Sequence, residues 1–124
     1  MRVINETEER TTRNPSGLAA GLAGPSQGSD QVATWRVVME PGVDAPVHTI
    51  DKDQVWMPIA GTFEFVIDNE TEKVGAGQAI VIPADVVRTF RAIDTQAQAL
   101  VAMVVGGTAA VPGNDARLPL PWAH

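Results

Sequence analysis

Between residues 42 and 61 the chain reads GVDAPVHTIDKDQVWMPIAG, with glycine at each end, His48 as one of only two histidines, and the amide of Gln54 six residues on. From Gln54 to Ile59 both alternating sets are largely apolar: Gln54, Trp56 and Pro58 on one side, Val55, Met57 and Ile59 on the other. A strand of that texture is covered on both faces. The outer cover is either the N-terminal segment or a second subunit. A homodimer is expected, through Val55, Met57 and Ile59 or by exchange of N-terminal strands, since sheets with open edges often manage them by pairing.

Outward from this run the chain is a series of short β-branched and apolar stretches separated by Gly, Pro, Asp or Asn, the pattern of an all-β barrel or sandwich. In Val32 to Glu40, alternation sends Trp35, Val37 and Met39 to the core. Thr62 to Asp68 puts Phe63, Phe65 and Ile67 on one side, then turns through Asp68, Asn69 and Glu70 into a hairpin. Ala79 to Ile82, Val87 to Ala92 and Ala97 to Val105 complete the strands. Residues 1–30 form an arm with one short strand near Leu18 to Leu22, and residues 31–106 form the barrel core. Residues 107–124 pack on the barrel as an irregular tail, because Pro112, Gly113, Pro119 and Pro121 oppose regular structure.

At 124 residues the chain suits one domain. There is no cysteine, so disulfides, thiolate ligands and a cysteine nucleophile are excluded. The net charge of -6 repels nucleic-acid phosphates and anionic lipid, so neither is expected as a partner. The acidic N-terminus lacks the apolar stretch of a signal peptide, and no apolar run is long enough for a membrane helix. A cytoplasmic location is expected. No phosphate-binding glycine loop and no serine nucleophile elbow is present.

The two blocks Gly42-x5-His48-x-Ile50-x3-Gln54-x6-Gly61 and Gly77-x5-Pro83-x-Asp85-x2-Arg88-x3-Ala92 resemble the paired motifs of the cupin superfamily. Those motifs read G-x5-H-x-H-x3-4-E-x6-G and G-x5-P-x-G-x2-H-x3-N. The resemblance covers about Trp35 to Val105 and implies a cupin-type jelly-roll β-barrel with its site inside. The segments around His48 and Ile82, with the closing Pro121, Trp122 and Ala123, also look similar to a group of small bacterial cupins of undefined activity.

In metal-using cupins three His and one Glu converge on an ion. Carried over, those positions here are His48, Ile50, Gln54 and Arg88. Ile50 coordinates nothing, Arg88 brings a permanent cation, and Gln54 offers only a neutral carbonyl. No metal and no other cofactor is expected.

The resemblance therefore implies a metal-independent cupin that binds a small apolar molecule with an anionic or carbonyl oxygen. Arg88 and Gln54 hold that oxygen, His48 moves a proton, and Trp35, Ile50, Trp56, Phe65 and Phe90 enclose the rest, with Asp53 near the entrance. Proton-transfer chemistry of secondary metabolism follows: isomerisation, cyclisation, epimerisation or elimination. A buried Arg88 demands an anion, either from the ligand or from Asp51 or Asp53. Two other readings stand beside this one. One is a binding or sensing module without catalysis; the other is a metal oxygenase using His48, Gln54 and an inward Asp53.

Overall fold

The computed structural model describes residues Met1–His124. The chain forms twelve strands: β1 (Thr11–Asn14), β2 (Gly17–Gly21), β3 (Val32–Met39), β4 (Thr49–Ile50), β5 (Gln54–Ala60), β6 (Thr62–Ile67), β7 (Glu70–Gly75), β8 (Ile80–Ile82), β9 (Arg88–Ala92), β10 (Ala97–Val104), β11 (Thr108–Ala110) and β12 (Leu118–Pro119). Three single 3-10 turns (Glu8–Arg10, Pro25–Gln27, Pro121–Ala123) supply the only helical structure. No helix is long and apolar enough to cross a membrane.

One antiparallel layer runs β1-β2-β3-β10-β5-β8. The other is made of β12-β11-β4 and β7-β6-β9. His48 and Arg88 stitch these halves together by exchanging both backbone hydrogen bonds, at 3.0 and 2.9 Å. Each strand's inner set meets the opposite layer, so Trp35, Met39, Trp56, Val101 and Met103 pack with Ile50, Phe63 and Phe65 in one core. Trp56 lies edge-on to Phe63, Phe65 and Phe90 with centroids 5.6, 5.2 and 4.7 Å apart. Such pairs add about 0.5–1.5 kcal/mol beyond burial. The architecture is an all-β jelly-roll barrel.

Among the motif glycines, Gly61 turns where a side chain could not follow. Gly61 has φ +68, and a Cβ there would lie 2.5 Å from the Gln96 carbonyl oxygen. Asp85, at the position of the motif's second-block glycine, adopts φ 67 and donates its N–H to the Ile50 carbonyl at 2.7 Å. Aspartate tolerates this left-handed backbone better than most residues. Pro58 donates no N–H and falls at a register shift between β5 and β10, beyond the residues of β5 that pair with β8.

The arm holds more structure than its composition suggests. Besides the expected strand, found as β2, the polar run Thr11–Asn14 pairs with it as β1 around a turn in which Asn14 Oδ1 accepts the N–H groups of Ser16 and Gly17. The tail is irregular over residues 111–117 but adds β11 and β12. Proline is tolerated in β12 because it is an edge strand. Glu6 reaches the outer face of β3 and takes two hydrogen bonds from Arg36 at 2.7 and 2.8 Å. The arm stops there, leaving Met57 38% and Ile59 51% exposed beside Leu100 and Val81.

Candidate functional site

Between the two layers lies a cavity of about 280 Å³, lined by eighteen residues of which thirteen are hydrophobic. Among them are His48, Gln54, Trp35, Ile50, Trp56 and Phe90, six of the residues singled out from sequence. They meet because β3, β5 and the His48–Ile50 segment present alternate residues inward, as Phe90 does from β9. No Asp, Glu, Lys or Arg is part of the lining. His48 is its single titratable group.

His48 Nδ1 donates to the Pro46 carbonyl at 2.6 Å, which places the ring proton there and leaves Nε2 as a bare acceptor. Burial pushes the imidazole below its ordinary pKa, the Pro46 hydrogen bond opposes this, and the Arg88 cation lowers it further. The resting state at neutral pH is therefore an uncharged base. Gln54 is buried in the same wall; its Oε1 accepts the Trp56 indole N–H at 3.2 Å. Its amide nitrogen meets only the Met103 sulfur, at 3.6 Å, a weak acceptor. Gln54, a lining residue, thus keeps donor capacity to spare.

Arg88, Phe65 and Asp53 are not in the cavity lining. Arg88 is the cross-strand neighbour of His48 and only 1% exposed. Its Nη2 donates to the Pro83 carbonyl at 2.9 Å, while Nε and Nη1 have no partner. Burial lowers its pKa, and Asp85 acts in the opposite sense. It forms no ion pair with Asp51 or Asp53, whose carboxylates have other partners. Asp53 accepts the Ala84 N–H at 2.8 Å, and Asp51 accepts the N–H and hydroxyl of Thr108 at 2.7 and 2.9 Å. Phe65 lies one layer back, against Trp56 and Phe90.

Sequence reasoning missed the part of the lining that the two ends of the chain supply. Asn14, Ser16, Leu18 and Ala19 from the N-terminal hairpin and Ala109, Leu120 and Trp122 from the tail supply seven of the eighteen lining residues. The one available signal was Trp122, a large apolar residue in a stretch otherwise rich in turn formers.

The four positions that hold an ion in metal-using cupins do not fit one here. Ile50 is apolar, Arg88 is cationic, the Gln54 carbonyl is already engaged by Trp56, and no three His, Asp or Glu residues gather anywhere. His48 alone is a competent ligand.

Comparison with solved structures places the chain among cupin folds. Oxalate decarboxylase from Bacillus subtilis superposes with a TM-score of 0.73 at 16% identity, over 83% of this chain and 29% of that one. The DMSP lyase DddQ from Ruegeria pomeroyi DSS-3 gives 0.68 at 17% identity, over 91% and 62%. An RmlC-like cupin family protein with a double-stranded β-helix fold from Methanocaldococcus jannaschii gives 0.67 at 15%, over 84% and 90%. This chain thus spans less than two thirds of the decarboxylase and lyase chains, and at these identities the likeness is one of fold. A search of the curated proteins finds no significant match. The cupin domain family matches residues 35–106. With more than half of its length matched, and with both motif blocks on the inner walls of a jelly-roll barrel, the chain belongs to the cupin family.

Proposed function

We propose that the chain is a metal-independent cupin whose cavity takes a small apolar molecule bearing a carbonyl or anionic oxygen, and that His48 moves a proton on that molecule. One observation carries this reading: two of the few polar side chains in a largely apolar cavity, His48 with a bare imidazole nitrogen and Gln54 with an amide donor, are of opposite kind. Pockets of this sort fix orientation with few polar groups. Arg88 lies outside the lining, but its charge reaches His48 and two of its nitrogens are unpartnered, a field that favours negative charge on an oxygen held beside that histidine. A proton removed by His48 from the adjacent carbon leaves an enolate that this field stabilises.

With one titratable group in the lining, the chemistry is a one-base proton shift. The base that removes the proton must return it or pass it to the leaving group. Isomerisation, or elimination with a good leaving group, fits that limit; two-base epimerisation has no second base. The same observation favours, as a second reading, a binding or sensing module that uses the pocket without turnover.

2-Tetralone, an apolar ketone with acidic α-protons, separates the two. In D2O the wild-type protein should accelerate its α-exchange, followed by proton NMR, and His48→Gln should return the rate to that of buffer. Saturable binding with exchange at the buffer rate would leave the binding-module reading.

A further inference from the structure

Part of the cavity lining comes from segments of the chain that lie outside the family match. Leu120 and Ala123 are buried, and the 3-10 turn Pro121–Ala123 seats on β2 and β3. The seat depends on two glycines. A Cβ on Gly21 would lie 2.8 Å from the Trp122 carbonyl oxygen, and one on Gly24 the same distance from that of His124. Ser26 Oγ donates to the His124 carbonyl at 2.8 Å, fixing the far end. The near end is held by Arg117, which donates to the hydroxyl and carbonyl of Thr108, both at 2.7 Å. Residues 111–119 are exposed throughout, and the span between the two pins carries the buried Leu120 and Ala123. The tail is thus a strap pinned at both ends, with Leu120 and Trp122 lining the same cavity as His48 and Gln54.

We propose that Trp122 is a specificity-determining residue: its indole closes the apolar end of the cavity and sets the size of ligand that fits. The inference rests on the cavity being the ligand site. Its physical basis is that a closed apolar wall rejects added bulk, whereas an open one does not. At about 280 Å³ the space is just below the range of about 300–1,000 Å³ usual for ligand pockets. A change of one large side chain in its wall is therefore a large fraction of the whole.

Benzoate, 2-naphthoate and anthracene-2-carboxylate form a graded series of probes, with affinities measured by calorimetry. Wild type should discriminate against the three-ring acid. Trp122→Ala should shift the affinity ratio of three-ring to two-ring acid upward by about tenfold or more, the scale on which apolar pockets discriminate size. Trp122→Phe, which keeps the aromatic seat, should move the ratio part of the way. Should the alanine variant fold poorly, the phenylalanine variant decides alone. If wild type binds the series and both variants change every affinity by the same factor, the tail is not a selective wall and the proposal falls while the cavity reading stands. If wild type binds none of the acids at millimolar concentration, the cavity reading fails and takes this inference with it.

Discussion

Arg88 is the residue where electrostatics and structure meet most sharply. A buried guanidinium with one backbone hydrogen bond and no carboxylate partner is expensive, so Arg88→Met should melt at or above wild type despite losing its bond to Pro83. Asp53→Asn should lose about 1 kcal/mol, from weakening its bond to the Ala84 N–H. The double variant should be additive within about 0.5 kcal/mol. A loss of about 3–5 kcal/mol in Arg88→Met that Asp53→Asn relieves would expose an ion pair between them. His48 makes a second prediction, in pH. Its folded pKa lies below the unfolded value of about 6.5, so between the two the unfolded chain binds more protons. Stability from this group is complete above about pH 6.5 and declines as pH falls toward the folded pKa. His48→Gln should flatten that part of the stability curve, measured by urea melts from pH 5 to 8; an unchanged slope would contradict it. The inward placement of His48 and Gln54 in the cavity lining was legible because motif spacing and strand parity give the direction of a short side chain. Arg88 was legible as inward, but its long side chain turns toward Pro83, a destination that parity does not encode.

Elements carry the fold through the turns between them. Asp85→Gly should be neutral or stabilising by up to about 1 kcal/mol, since glycine takes the left-handed backbone without the Cβ penalty. Gly61→Ala should destabilise by about 2 kcal/mol or more, because strain at φ +68 adds to a clash with the Gln96 carbonyl. Thermal melts of the pair check both, and a stabilised Gly61→Ala would mean that the β5–β6 turn is not as described. The central strands were readable because inward and outward residues differ in chemistry, as with Trp35 against Arg36 or Phe63 against Thr62. β1 was not readable, since Thr11–Asn14 is polar throughout and becomes a strand only by pairing with β2. Nor was the tail's seat, which depends on Gly21 and Gly24 leaving room for a segment about a hundred residues away.

For the whole molecule, the outer face of the six-stranded layer carries Val32, Met57, Ile59, Val81, Leu100 and Val104 in partial or full exposure. Cross-strand pairing sets Leu100 beside Met57. An exposed apolar face of this kind is a candidate interaction surface, and we propose that a second copy covers it. Light scattering at micromolar concentration should give the dimer mass, with Leu100→Glu shifting it to monomer; a monomeric wild type would remove the proposal. The barrel interior carries the central claim, that the pocket beside His48 and Gln54 binds an apolar oxygen ligand without a metal. It is tested most directly by calorimetric titration of 2-naphthoate into protein stripped with EDTA. We expect saturable binding near one per chain, unchanged when iron, manganese, nickel or zinc is restored. No binding to the stripped protein, with binding regained on adding one of those ions, would contradict the claim.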